Sequence, residues 1–111
     1  MYYVYVIGLK KEVLKNRKFR DANPDYQPGK PCYYVGYTSK MPRERAQEHQ
    51  HAKRKANGHP LFSRMAHRYF DGLRHRKYEH LNPVETQEEA KALEKATAER
   101  LRQRGFGVWW N

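Results

Sequence analysis

The sequence predicts an α+β domain with the element order β-β-α-α-β-α, followed by a short aromatic segment near its C-terminal end. Its 111 residues match the usual size of one domain. Two continuous apolar runs, rich in β-branched and aromatic residues, lie within residues 1–38. Stretches with a helical spacing of apolar residues follow them. No internal repeat and no second domain are visible, so we treat residues 1–111 as a single unit.

Both predicted strands lie in the first third of the chain. The run YYVYVI at residues 2–7 ends at Gly8 and is typical of a strand buried on both faces, which we place at residues 2–8. Residues 11–31 show no clear period and are dense in turn formers and basic side chains, which predicts a long basic loop inserted between the strands. The second strand is expected from Cys32 to Thr38.

Two helices are predicted after the second strand. Pro42 suits the first turn of a helix that should run to about Ala56, where Asn57 and Gly58 supply a left-handed stop. Pro60 then opens a second helix, which Asp71 and Gly72 close. Its apolar residues recur at helical spacing and are expected in the core: Leu61, Phe62, Met65, Ala66 and Tyr69.

The last third of the chain contains a possible edge strand and the longest helix. Residues 74–80 are charged around a lone Tyr78, which is compatible with a short edge strand. Thr86 to Glu89 fits a capping box and Gly105 fits a C-terminal cap, so a helix should span about residues 87–104. Residues 106–110 then form an aromatic strand or an extended tail.

The composition favours a nucleic-acid partner. Lys and Arg number 23 against 12 Asp and Glu, which gives a net charge of +11. Such an excess favours a polyanion, because neutralised phosphates release counterions. A merely soluble basic protein is less favoured. Membrane-surface binding comes third, because no basic segment also has the continuous apolar face of an interfacial helix.

The cysteine content and the N-terminal run bear on location. Cys32 is the one cysteine, which excludes an internal disulfide and favours a reducing compartment. The apolar N-terminal run is short, lacks a basic segment ahead of it and is interpreted as a strand rather than a signal peptide. No transmembrane segment is visible. We therefore expect a cytoplasmic or nucleoid-associated protein.

Glu94 is the first candidate functional residue. At about 100° per residue it lies within roughly 40° of the inward stripe of the last helix, so its carboxylate should face protein rather than water. On its own helix only Lys91 is a nearby cation. An inward carboxylate needs a cation, which can be a tertiary Arg or Lys or a metal ion. The sequence leaves both alternatives open.

Arg45 and His49 form a second candidate pair. They are four residues apart and share one face of the first predicted helix, just after the tyrosine-rich second strand. Taken singly, each would be an ordinary surface residue. Zinc motifs, a P-loop and a dinucleotide-binding fingerprint are all absent, and the histidines lack a recognised metal spacing.

These pieces, in order along the chain, resemble the GIY-YIG nuclease superfamily. The matching features are YVY at residues 3–5, YVG at 34–36, Arg45 and His49 on the next helix, and Glu94 in EEAKALE at 88–94. The resemblance implies a small three-stranded antiparallel sheet flanked by helices. It also implies cleavage of phosphodiester bonds, preferentially in DNA with RNA as the other possibility, with one divalent cation, Mg²⁺ or Mn²⁺.

The resemblance also implies roles for these residues. Glu94 would bind the metal ion and Arg45 would donate forked hydrogen bonds to phosphate. Tyr5 would be the base, Tyr34 would orient water or share the proton, and His49 would assist either transfer. Core packing is the alternative role for both tyrosines.

Three departures from the family pattern stand out. Tyr3 replaces the first glycine, which affects packing more than chemistry, and residues 11–31 form an unusually long insertion. Asn111 is the only candidate for the asparagine that follows the last helix, but it lies farther from Glu94 than the pattern expects. Gly36 keeps its motif position and would let backbone or substrate approach closely.

Basic residues outside the site are expected to track the substrate backbone without reading bases. They are Lys18, Arg20, Lys30, Lys40, Arg43, Lys53, Arg54, Lys55, Arg74 and Arg76. A rival interpretation is a nucleic-acid-binding module of the same fold that is inactive or depends on a partner. A weaker rival is a protein-binding domain that docks through Trp109 and Trp110.

Overall fold

A computed structural model describes residues 1–110 and confirms the α+β class. One mixed sheet of four strands has the spatial order β3-β1-β2-β4, with β1 antiparallel to β2 and β3, and β4 parallel to β2. The strands are β1 (Tyr3–Leu9), β2 (Cys32–Thr38), β3 (Phe70–Leu73) and β4 (Gly107–Trp109). The helices are α1 (Arg17–Ala22), α2 (Pro42–Gln50), α3 (Arg64–Arg68) and α4 (Gln87–Gln103).

The β1–β2 pair forms the centre of the core. Both strands are buried along almost their whole length, as their continuous apolar sequences predict. Tyr5 lies opposite Gly36 and Ile7 lies opposite Tyr34. Because directly opposed residues project to the same face of a sheet, this register places both motif tyrosines on one face.

The three antiparallel strands that we expected are present as β3, β1 and β2, but the sheet has one strand more than predicted. The C-terminal aromatic segment pairs with β2 and adds a parallel fourth strand. The third strand lies at residues 70–73 rather than 74–80, where two 3₁₀ turns form instead: His75–Lys77 and Glu79–Leu81. Tyr78 is buried and anchors these turns, which explains its presence in a charged segment.

Both helices predicted between β2 and β3 are shorter than expected. The first, α2, ends at Gln50 rather than near Ala56, and Ala52 adopts a left-handed conformation with φ of 51°. The second, α3, begins after Ser63, whose side chain caps it by accepting from the Ala66 N–H at 3.3 Å. Its short length follows from this cap, which leaves Pro60 outside the helix.

Residues 11–31 are not the structureless loop that their composition predicted. They contain a 3₁₀ turn at Lys11–Lys15 and the helix α1, which Asn16 caps by accepting from the Phe19 N–H at 3.1 Å. Val13 and Phe19 are fully buried and fix this segment to the core. Two apolar anchors among many polar residues give too weak a period to detect in the sequence.

The longest helix agrees with its prediction. α4 ends at Gln103, one residue before the expected end, and Thr86 caps its start by accepting from the Glu89 N–H at 3.1 Å. Its inward residues pack against the sheet. Within residues 1–110 no helix has the length and apolar character needed to cross a membrane.

Candidate active site

Four of the predicted catalytic side chains line one open cleft of about 640 Å³. Tyr5 comes from β1, Tyr34 from β2, Arg45 from α2 and Glu94 from α4. The fifth, His49, is fully buried and contacts both tyrosine rings. Residues far apart in the sequence therefore lie close together in the structure.

The two tyrosines are packed side by side in the floor of this cleft. Each is 1% exposed, and their ring centroids are 6.2 Å apart. Gly36 lies opposite Tyr5, and a Cβ atom there would clash with the Tyr5 hydroxyl group. The glycine of the second motif thus makes room for the tyrosine of the first.

Hydrogen bonds fix the tautomer of His49. The backbone N–H of Ser63 donates to Nδ1 at 2.9 Å, so Nδ1 must present its lone pair. In a neutral ring the proton is then on Nε2, which lies 2.9 Å from the Tyr5 hydroxyl oxygen. Burial lowers the His49 pKa to about 3, with a further contribution from the Arg45 charge. His49 is therefore a neutral donor to Tyr5 at physiological pH.

Both tyrosines are protonated in this environment. Burial raises the pKa of Tyr5 well above its ordinary value, and the neighbouring Tyr34 adds to the increase. Burial likewise raises the pKa of Tyr34. The positive charge of Arg45 lowers the pKa of both residues, but its effect is smaller than that of burial.

The Glu94 carboxyl group is 7% exposed. Burial raises its pKa to about 7, although the Tyr37 backbone and the Lys91 charge partly oppose the increase. Within residues 1–110 no Lys, Arg or His nitrogen lies within ion-pair distance of it. The structural ion pair weighed from the sequence is therefore not formed among these residues.

The geometry of Glu94 is compatible with a magnesium-type ion. A buried carboxylate at the wall of an open cleft supplies one hard oxygen ligand, and Mg²⁺ commonly binds one or two carboxylates together with waters and substrate phosphates. Across residues 1–110 there is no cluster of three or more His, Cys, Asp or Glu side chains that could hold a metal. Among the described residues that line the cleft, Glu94 is the only acidic one, so it would be the acidic ligand of such an ion.

Arg45 is held in place by two neighbours. Its Nη1 donates to the Leu61 carbonyl oxygen at 2.5 Å and to Glu48 Oε1 at 3.0 Å. Glu48 is itself buried and also pairs with Lys40 and, at 3.7 Å, with Lys53. Burial alone would raise the Glu48 pKa, but the hydrogen bonds and the positive charges of Lys40 and Arg45 together outweigh it and lower that pKa. This carboxylate positions the guanidinium group beside the cleft.

Sequence reasoning missed several residues of the site. Glu48 follows Arg45 by three residues, a spacing that could have identified it. Lys91 and Lys95 line the cleft on either side of Glu94, again at helical spacing. Trp110 also lines the cleft. No periodic pattern predicts this tryptophan, because its position depends on the parallel pairing of β4.

Among residues 1–110, none of the predicted backbone-tracking cations lines the cleft that contains Glu94. Several have partners within the protein: Lys40 and Lys53 pair with Glu48, Arg74 pairs with Asp71, Lys30 donates to Arg104, Arg20 donates to Leu14, and Arg54 donates to Gly58. Lys18, Arg43, Lys55 and Arg76 are exposed. These last four are the better placed to meet a large anion.

The residues that depart from the family pattern have mixed outcomes. Tyr3 lines a different cleft, together with Met41 and Tyr78, and does not line the cleft that contains Glu94. Asn111 lies outside the described residues.

No protein-family model matches the chain, and no curated protein or solved structure matches it either. Its chemistry must therefore be argued from the cleft itself.

Proposed function

We propose that this protein is a metal-dependent endonuclease that hydrolyses phosphodiester bonds in DNA with a GIY-YIG-type site. The observation that carries the proposal is Glu94, a buried carboxyl group without an ion-pair partner among residues 1–110. It faces the same open cleft as Arg45, Tyr5 and Tyr34. A carboxylate alone would repel phosphate, so a cation is the missing part of the arrangement.

Arg45 would bind the scissile phosphate. Glu48 and the Leu61 carbonyl hold its Nη1 and so restrict the guanidinium group before substrate arrives. A preoriented donor stabilises the negative charge that develops on the phosphate oxygens, and it costs little reorganisation. Lys91 and Lys95 add positive charge at the rim of the cleft.

Tyr5 would first lose its own proton to solvent and become a phenolate, which His49 would stabilise. The phenolate would then take the proton from the attacking water and return to the neutral phenol. The Nε2–H of the neutral His49 ring points at the Tyr5 oxygen and donates to it whether or not Tyr5 is protonated. A hydrogen bond to a charged oxygen is stronger than one to a neutral oxygen, so it favours the phenolate. Tyr34 packs beside this pair and would orient the water.

A bound Mg²⁺ or Mn²⁺ ion would supply the remaining positive charge, which acts on water and phosphate together. Glu94 would have to lose its proton to hold the ion, since metal ligands bind in their deprotonated forms. A nuclease of this kind would act in the cytoplasm or on the nucleoid, and RNA is the alternative substrate to DNA.

A second candidate function is a nucleic-acid-binding module that does not cut. The observation that favours it is the protonated resting site, in which burial raises the pKa of both tyrosines and of Glu94. Such a site would bind phosphate through Arg45 without activating water.

A plasmid-nicking assay separates the two functions. Purified protein is incubated with supercoiled plasmid and Mg²⁺ or Mn²⁺, beside Glu94→Gln, Arg45→Lys and the control Glu99→Gln, an exposed residue on the same helix. We expect Glu94→Gln to lose about 100-fold or more of the nicking rate. Glu99→Gln should nick like wild type.

The opposite result is equally informative. If wild type nicks no faster than Glu94→Gln while both bind the plasmid, the nuclease proposal is wrong and the binding module stands. Chelation by EDTA should abolish nicking in wild type. Nicking that persists in EDTA and in Glu94→Gln would identify a contaminating nuclease or a metal-free reaction.

A further inference from the structure

A second cleft, of about 560 Å³, is lined by cations and aromatic rings. Its lining includes Arg17, Lys18, Arg64, Arg68, Tyr69 and Trp109, which come from α1, α3 and the strands beside them. Only Lys18 belongs to the cations predicted to track a substrate. The inserted segment, residues 11–31, and the C-terminal aromatic segment thus line the same cleft, although they are far apart in the sequence.

The charge of this second cleft is not neutralised by its own walls. Four of its lining residues are Lys or Arg and none is Asp or Glu. Of these four cations, only Arg17 forms an ion pair with a residue in the range 1–110, a 3.7 Å contact with the exposed Asp21. By contrast, Lys40 and Lys53 share the buried carboxylate of Glu48. The second cleft therefore attracts anions more strongly than the surface beside α2.

The shape and the aromatic residues define the anion more closely. A cleft of this volume is the size that encloses a small organic ligand, and it is too small for a nucleic-acid duplex. Trp109 is partly exposed within it, while Tyr69 is 7% exposed and has the Arg68 guanidinium over its ring at 5.4 Å. A base can stack on the indole ring while the neighbouring cations contact phosphates.

Two consecutive residues of the C-terminal segment line the two clefts, one each. Trp109 is the register partner of Tyr34, so both project to the same face of the sheet. The next residue, Trp110, lines the catalytic cleft. A single strand that leaves the catalytic cleft past Trp110 would enter the second cleft at Trp109.

We propose that the second cleft holds unpaired nucleotides that flank the scissile phosphate, with a base on Trp109 and phosphates on Arg17, Lys18, Arg64 and Arg68. This inference rests on the proposed function and deepens it. It makes the preferred substrate a nucleic acid with a single-stranded portion, such as a flap or a fork, rather than a blunt duplex.

Fluorescence anisotropy tests the proposal independently of cleavage. The probes are a labelled single-stranded DNA of about 12 nucleotides, its blunt duplex and a fork of the same sequence, all in EDTA. Wild type should bind the single strand and the fork more tightly than the duplex. We expect Trp109→Leu to weaken single-strand binding by about fivefold or more. Arg64→Gln and Arg68→Gln should each weaken it by about threefold.

The matched control is Arg100→Gln, which removes one exposed arginine from α4, away from both clefts. We expect it to change the affinity by less than about twofold. Circular dichroism confirms the fold of each variant. If Trp109→Leu fails to fold, the affinities of Arg64→Gln and Arg68→Gln for the single strand decide the outcome, because both arginines are exposed. The proposal is overturned if Arg64→Gln and Arg100→Gln lose equal amounts of affinity for the single strand. It is also overturned if wild type binds the blunt duplex more tightly than the single strand.

Two further outcomes complete the test. In the first, poly-glutamate competes with the labelled single strand for the protein. If it displaces the strand equally well from wild type and from Trp109→Leu, the second cleft is a general anion site and base stacking on Trp109 has no role. If plasmid nicking is absent but the variants bind as expected, the nuclease proposal fails and the single-strand cleft stands. If nicking is present but the variants bind like wild type, the cleft proposal alone fails.

Discussion

Burial keeps the Glu94 carboxyl group protonated up to a pKa of about 7, against an ordinary value of 4.5. Between these two values the folded protein holds a proton that the unfolded chain has released. The stability that this proton contributes is complete below about pH 4.5 and is lost as the pH rises through about 7. At alkaline pH the folded protein therefore carries a buried charge that has no ion-pair partner among residues 1–110, unless a cation binds.

We expect Glu94→Gln to raise the melting temperature of the metal-free protein at pH 8, because a neutral amide removes the cost of the buried charge. One pKa unit corresponds to about 1.4 kcal/mol, and partial solvent access reduces the total to about 1–2 kcal/mol. This is several degrees for a domain of this size. Thermal unfolding followed by circular dichroism from pH 5 to pH 9 measures it, and the difference should shrink toward pH 5.

The control is Glu99→Gln, which removes an exposed carboxylate from the same helix and should melt like wild type throughout. Millimolar Mg²⁺ should raise the melting temperature of wild type and Glu99→Gln but not that of Glu94→Gln. A variant Glu94→Gln that melts below wild type at pH 8 without metal would show that the carboxylate has a stabilising partner.

Helical spacing predicted that Glu94 faces inward, because that depends only on positions along one helix. The missing ion-pair partner depends on which side chains other elements bring to the same cleft, and no local pattern contains that. Ser63 illustrates the same limit. Its backbone N–H sets the tautomer of His49. The residue type at position 63 does not predict this contact, because every residue except proline has a backbone N–H.

At the scale of elements, Asn23 joins the inserted segment to the new edge strand. The residue is buried, and its Oδ1 accepts from the Val108 N–H at 2.8 Å while its Nδ2 donates to the Val108 carbonyl at 3.0 Å. The Asn23 side-chain amide thereby pairs with the backbone N–H and C=O groups of Val108 in β4, as the backbone of a neighbouring strand would. The same Oδ1 accepts from Arg102 at 3.1 Å. Asn23 thus closes an exposed edge of the sheet.

We expect Asn23→Ala to lower the free energy of unfolding by about 2–4 kcal/mol, since it leaves the Val108 N–H buried without its acceptor. Urea unfolding measures the change, with an unaltered slope showing that the unfolded state is the same. Asn57→Ala is the matched control, because Asn57 is exposed and accepts a local bond from the His59 N–H at 3.1 Å. Equal losses in the two variants would contradict this role for Asn23.

The elements that the sequence predicted well have strong local patterns. The strands β1 and β2 are continuous apolar runs, and α4 has both a period and a cap. The ends of α2 and α3 were predicted poorly because a left-handed Ala52 and the Ser63 cap override the proline and glycine positions. The parallel strand β4 depends on pairing between residues 32–34 and 107–109, a contact between distant parts of the chain.

At the scale of the whole molecule, the distribution of charge matters more than the net charge of +11. A cation that already pairs with a buried carboxylate has little attraction left for phosphate. Lys40 is such a cation, because it pairs with Glu48, which is 6% exposed. Lys18 is exposed at the rim of the second cleft, and no ion pair involves it among residues 1–110.

The salt dependence of binding separates these two kinds of cation. For single-stranded DNA, log K falls against log salt with a slope of about −0.7 for each phosphate contact. We expect Lys18→Gln to reduce the magnitude of that slope by about this amount. Lys40→Gln should leave the slope close to that of wild type but lower the melting temperature, because Glu48 loses one of its partners. Anisotropy titrations from low to moderate salt, together with thermal unfolding, measure both effects. If Lys40→Gln reduces the magnitude of the slope as much as Lys18→Gln does, DNA displaces Glu48 from Lys40. Binding would then depend on the net charge of the protein rather than on the arrangement of its charges.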